Sequence, residues 1–197
     1  MSARVHERLP GLRVLYAHGG GTFPALLGRL EHGSYCRPDL FGGCSPADMW
    51  STVKDCGIYT DTLTHSPWAL KMLVDLMGSR YLALGSDYPY PLGEIDPFDP
   101  CTAQDPKGNV CPYHRTKCIY PGHLIEHLPS HPDEMEEAWE HFHWLPHENS
   151  DGRRELPTLS LEQKENMLHR TAKDWLGIDE AECSGRYKRN AVSTGSF

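Results

Sequence analysis

The stretch Leu12–Arg29 constrains the fold more than any other part of the chain. Leu12, Val14, Leu15, Tyr16 and Ala17 read as a β-strand that stops at His18. Gly19, Gly20 and Gly21 follow, and glycines take backbone conformations closed to other residues and let a ligand approach the main chain. Thr22 is placed to cap a helix and Pro24 suits a first turn, so the spacing predicts a helix over 24–32. A strand that ends on a histidine and turns at once into a helix sets that histidine at the carboxyl edge of a sheet, where α/β folds bind their ligands. Free amides and the positive end of a helix dipole at the same edge favour an anionic guest.

The layout recurs. Gly57–Thr62 reads as a second strand, after which Ser66 and Pro67 open a helix. Leu70, Leu73, Val74 and Met77 fall on one face of that helix and Gly78 ends it. Tyr81–Gly85 reads as a third strand, running into Ser86 and Asp87. Upstream, Val5 to Pro10 reads as the last turn of a helix, and Ser45 with Pro46 as the start of a short one. Strands alternating with helices specify parallel strands joined by crossovers, hence an α/β sheet or barrel. Each strand delivers a polar residue at its carboxyl end: His18, Asp61 and Asp87. A closed barrel of this type takes eight strands and about 250 residues, so three strands represent part of one.

Charge and composition exclude other classes. The formal net charge of -8 argues against a nucleic-acid surface. No apolar run approaches the ~18 residues of a transmembrane helix, and the first residues lack a signal-peptide core. Seven scattered cysteines, an odd number, indicate reduced thiols and a cytosolic (cytoplasmic) setting. The acidity is local: residues 95–158 hold 12 acidic against 5 basic side chains, and seven of the twelve histidines.

The motifs then converge. His18-Gly-Gly-Gly-Thr-Phe-Pro24, Gly28-Arg29, His32-Gly33, Arg37-Pro-Asp-Leu40, Tyr59-Thr-Asp61, His65 and the run from Gly85 through Asp87 to Glu94 match in both residue type and offset. Together they resemble the aminocarboxymuconate-semialdehyde decarboxylases of the amidohydrolase superfamily. The resemblance is continuous over roughly residues 3–94 and resumes near Pro121–Ile125 and around Leu159–Ile178.

The resemblance implies an α/β fold, the C-terminal part of a metal-dependent TIM-type (β/α)8 barrel with one zinc ion at its mouth, incomplete in this chain. It implies non-oxidative decarboxylation of 2-amino-3-carboxymuconate 6-semialdehyde in tryptophan breakdown through kynurenine, which limits quinolinate formation. His18 inherits the role of catalytic base and acid, and Asp87 that of a metal ligand. Arg29 inherits that of an arginine binding a substrate carboxylate in the neighbouring subunit's site. The partners implied are a small dicarboxylate substrate and a second chain, as a homodimer or in a pair with a full-length relative. Asp61 and His65 match family positions near the site, although Asp61 equally suits ordering a loop and His65 capping a helix.

The departures are as specific. The family's zinc also takes a His-x-His pair on the first strand and a histidine on the fifth, and its substrate meets another arginine from the first half. None has a counterpart here, where Met1 stands just before the family's sixth strand. A catalytic zinc takes three protein ligands, and one carboxylate cannot replace them. The chain is thus expected to be the second half of such an enzyme. Active decarboxylase, inactive half-barrel paired with a full-length relative, and another superfamily decarboxylase or hydrolase are the readings open at this point.

Four divisions are expected: 1–94, a half-barrel of the family's strands 6 to 8; 95–158, an acidic His/Cys/Pro-rich segment that reads equally as an insertion or as unspliced sequence; 159–178, a C-terminal helix packed on the barrel; and 179–197, a flexible tail. In the second, Cys101, Cys111, His114, Cys118 and His123 offer spacings for a small zinc loop. His141-Phe-His143 spells His-x-His, but after an acidic helix that splays such residues apart. Pro129, Pro132 and Pro146 are expected to interrupt regular structure. In the third, Ser160 and Gln163 spell a capping box, with Leu161, Leu168, Ala172, Trp175 and Leu176 as the buried face.

Overall fold

Three parallel strands, side by side in chain order, form the sheet that positions the site. The computed structural model describes residues 5–9, 11–40, 53, 57–87, 120–142, 145–146, 148–149 and 152–178. Strand β1 (Val14–Tyr16) pairs with β2 (Ile58–Asp61), and β2 pairs with β3 (Leu82–Ala83). The register sets Val14 against Ile58, Tyr16 against Thr60 and Asp61 against Ala83. Strand β1 is shorter than the apolar run suggests. Its ladder begins where the Val14 N–H meets the Gly57 carbonyl, at 2.9 Å, and Leu12 and Tyr16 remain exposed.

Helix α1 (Val5–Arg8) precedes the sheet, and α2 (Phe23–Cys36) follows β1. Helix α2 outruns its expected end at residue 32. Gly33 and Ser34 continue it, and Arg37, which precedes Pro38 and so avoids helical geometry, closes it with an N–H to the Gly33 carbonyl. Thr22 holds the N-cap position but does not cap: its backbone is already helical and its side chain accepts no bond. Helix α3 (Pro67–Met77) behaves as the sequence indicates. The Ser66 hydroxyl accepts the Ala69 N–H at 3.4 Å, and Gly78, at φ 90°, ends the helix. Leu70, Leu73, Val74 and Met77 are all buried, each burial stabilising by about 1.5–3 kcal/mol.

Part of the acidic segment is built into the same core. Helices α4 (His123–His127) and α5 (Met135–His141) are separated by a 3-10 turn at Pro132–Glu134. The prolines punctuate rather than abolish structure: Leu128 is extended before Pro129, and Pro132 opens the turn. Leu124, Ile125, Leu128, Trp139 and Phe142 join one apolar cluster with Leu27, Leu70 and Leu82. Strands β4 (Glu148–Asn149) and β5 (Gly152–Arg153) make a small antiparallel ladder. The Trp68 indole donates to the Glu155 carbonyl at 3.2 Å and lies under the Arg154 guanidinium.

The final helix starts with the expected capping box at Ser160 and Gln163. Its buried face differs from the expected one. Helix α6 (Leu161–Glu165) passes through a π-helical turn at Asn166–Arg170 into α7 (Thr171–Leu176). Leu161, in the first turn, is exposed; the wider turn then shifts the register, so Asn166, Met167 and Thr171 face inward while Leu176 is exposed. Asn166 donates to the Ser79 hydroxyl at 3.0 Å, and the Thr171 hydroxyl donates to the Ser79 carbonyl at 3.1 Å. Among the described residues, no helix is long and apolar enough to cross a membrane.

Candidate active site at the carboxyl ends of the strands

Asp61, at the end of β2, organises this edge. Its Oδ2 accepts the backbone N–H of His18 at 2.9 Å, and its Oδ1 accepts those of Gly19 at 2.8 Å and Leu63 at 3.1 Å. Three bonds to one buried carboxylate are of the charge-assisted, strong kind. They tie the turn after β1 to the turn after β2. The chain can approach so closely only because it lacks side chains there. A Cβ on Gly19 would meet Leu73 Cδ1 at 2.8 Å, and one on Gly85 would meet Asp61 Cβ at 2.7 Å.

The backbone around Asp61 is strained. His18, His65 and Asp87 are the non-glycine residues with positive φ among those described, at 57°, 51° and 55°. Such conformations cost of order 1–3 kcal/mol each and persist where the surroundings impose them, often at functional sites. His18 follows β1 and Asp87 follows β3, the strands on either side of β2, and His65 shares their electrostatic field. Burial lowers the His65 pKa from its ordinary value, Asp87 opposes that most strongly, the His18 ring reinforces it, and Asp61 opposes it again. The edge therefore gathers two imidazoles and two carboxylates.

These residues differ in what they can offer. Asp61 spends both oxygens on backbone N–H groups and serves to position His18. The His18 ring is exposed, and Asp87 is half-buried. Arg29 is exposed on α2, two positions from buried Leu27, and forms no ion pair with a described residue. The structure thus unites His18, Asp61, His65 and Asp87 but leaves Arg29 facing outward. Zinc does not fit this group alone. It takes three protein ligands, and among the described residues these side chains do not converge as such a set.

Asp61 and His65, which match family positions near the site, are drawn into it by the fold: Asp61 through its bonds to the His18 turn, His65 through the charges around it. Ser45, Cys101, Cys111, His114, Cys118, His143 and residues 88–94 and 179–197 lie outside the described residues. His141 corrects an expectation. It groups with His123 and His127, because helix α4 folds back against α5, whereas the second histidine of the His-x-His spelling, His143, lies outside the described residues. Burial lowers the His123 pKa to about 4, with the His127 and His141 rings adding to the effect.

Comparison with known proteins agrees with the motif-level resemblance. Residues 2–178 match the amidohydrolase family. The chain is 47% identical over 93 residues to the 2-amino-3-carboxymuconate-6-semialdehyde decarboxylase of Dictyostelium discoideum, covering 47% of this chain and 25% of that protein. It is 40% identical over 103 residues to the protein of the same name from Caenorhabditis elegans, covering 49% of this chain and 25% of the other. The matched part thus spans a quarter of each of these relatives. Among solved structures, Metarhizium anisopliae IDCase in apo form superposes with a TM-score of 0.52 at 22% identity, covering 91% of this chain and 37% of the other. That likeness shows a common fold, of which the three parallel strands and their helices are a part. With a family match over most of its length and the parallel β-α architecture to accompany it, this chain belongs to the amidohydrolase family.

Proposed function

We propose that this chain carries the acid–base end of a decarboxylase site, acting on 2-amino-3-carboxymuconate 6-semialdehyde in tryptophan catabolism. The observation that carries the reading is the Asp61-anchored, left-handed His18 at the mouth of β1, in a chain similar over about half its length to two decarboxylases of that name. Decarboxylation breaks the bond between a ring-opened carbon and its carboxylate, releases CO2 and leaves an electron pair on carbon that must be protonated. His18, exposed at the edge with its backbone fixed, is the group that holds and delivers that proton. Asp87 supplies one carboxylate ligand toward a zinc ion, and a complete set needs donors beyond those described. Arg29, facing outward from α2, binds a substrate carboxylate in the site of a second subunit. The working form in this reading is a cytosolic homodimer.

Loss of the substrate's chromophore on adding the zinc-supplemented chain is the expected result. Its absence in the zinc-supplemented chain sinks the reading for residues 1–197. A second reading is favoured by the exposed edge at Leu12 and Tyr16 and by the deficit of ligands: an inactive partner of a full-length relative. Co-purification with an intact barrel enzyme would support it, and a monodisperse chain that ignores that enzyme would count against it.

A further inference from the structure

We infer that His123, His127 and His141 form a binding site for a divalent transition-metal ion of the zinc class, independent of the residues proposed for decarboxylation. The ligating nitrogens of the three lie within 4.8 Å of one another, and no other group of three ligating side chains among the described residues comes so close. A four-coordinate ion at ~2.0–2.1 Å from each nitrogen needs them about 3.3 Å apart, a contraction within reach of side-chain torsions. Two of the histidines are four residues apart on α4, and so lie on one face of it. The third comes from the last turn of α5, which packs across. The rings of His127 and His141 are stacked at 3.6 Å, and the His123 ring lies 4.6 Å from that of His127.

A hydrogen-bonded neighbour orients one of the ligands. Tyr120 has one phenolic proton and donates it to the Glu126 carboxylate. Its oxygen, 2.9 Å from His127 Nε2, is then left to accept the Nε2–H. That tautomer leaves the Nδ1 lone pair of His127 available to an ion, in the carboxylate-to-histidine chain that commonly supports metal ligands. The charge around the cluster suits a cation. His127 and His141 border a cleft of about 320 Å³ whose walls carry three carboxylates, Glu126, Glu134 and Glu137, against one ammonium, Lys164, which donates to the Glu126 carbonyl at 2.9 Å. The cleft supplies a route of entry and room for a fourth ligand. Three imidazoles without a thiolate select zinc and its first-row neighbours over magnesium or calcium.

The site also has a structural consequence. Ile125, Leu128, Trp139 and Phe142, which flank the histidines on both helices, are buried in the common core. An ion bridging α4 and α5 would lock that part of the acidic segment onto the sheet.

The test uses the full 197-residue chain, freed of metal and titrated with zinc and with cobalt(II). Wild type should bind one ion per chain by elemental analysis, melt at higher temperature when loaded, and show a cobalt spectrum without thiolate charge-transfer bands. H127Q and H141Q should each weaken binding ten-fold or more, while D87N retains it. On the wild-type chain, zinc should protect His127 and His141 from diethyl pyrocarbonate, a readout that does not require the variants to fold. No binding, thiolate bands, binding lost in D87N alone, or an absence of protection at His127 and His141 would overturn the assignment.

Discussion

The carboxylate of Asp61 holds the backbone of His18, not its ring: Oδ2 accepts the His18 N–H at 2.9 Å while Oδ1 accepts that of Gly19 at 2.8 Å. The histidine is therefore set by where its main chain is pinned, and its imidazole is left exposed for a ligand. The arrangement stores strain at His18 and offsets it with bonds to a buried charge.

Asp61→Asn replaces an acceptor oxygen with an amide that faces backbone donors. It should cost about 2–3 kcal/mol, since lost bonds to a charged group leave buried N–H groups unsatisfied. Denaturant unfolding measures the loss, and amide exchange should show His18 and Gly19 losing protection first. An unchanged midpoint with unchanged exchange would show that the carboxylate does not hold the turn.

Gly85→Ala should act on the same contact from the opposite side. The new methyl would stand 2.7 Å from Asp61 Cβ and 2.9 Å from its Cγ, so the carboxylate must move. Overpacking of this kind costs about 1–3 kcal/mol. Because both substitutions break one arrangement, the double variant with Asp61→Asn should be less destabilised than the two effects added. Full additivity in that cycle would place the Gly85 effect elsewhere.

What was legible in the sequence is what local chemistry decides. Ser66, Pro67 and Gly78 bound α3, and the residues at three- and four-fold spacing between them are its buried face. The strand-to-turn junctions at His18, Asp61 and Asp87 were readable for the same reason. The φ values of His18, His65 and Asp87 were not, because tertiary contacts impose them against local preference. The inward face of the last helix departs from regular helical spacing at Asn166–Arg170, where a π-helical turn inserts an extra residue into the period. His123, His127 and His141 meet only because two helices separated by a proline-bearing turn pack together, and no short spelling records such a meeting.

Phe142→Ala should show how far the acidic segment belongs to the core. The ring is fully buried among residues from both ends of the described chain, so its removal should cost about 3–5 kcal/mol. A single cooperative transition, shifted down as a whole, is the expected result in thermal or denaturant unfolding. A loss confined to a minor early transition would mean that α4 and α5 unfold without consequence for the sheet.

His65 reports on the charges of the site, and its titration in the metal-free chain can separate them. Burial draws its pKa below the ordinary 6.5, Asp87 and Asp61 pull it up, and the His18 ring pushes it down. Asp87→Asn removes an upward pull, so His65 should titrate lower still; His18→Asn removes a downward push, so it should titrate higher. The sign for stability follows from proton counting. With the folded pKa below the unfolded one, the unfolded chain binds the proton first. The contribution of His65 is thus intact above the unfolded value and is lost as the pH falls through it toward the folded value. Histidine carbon-bound proton shifts followed by NMR in the three proteins measure this directly. An unchanged titration in both variants would show that His65 answers to its burial alone, and that His18 and Asp87 do not share a field with it.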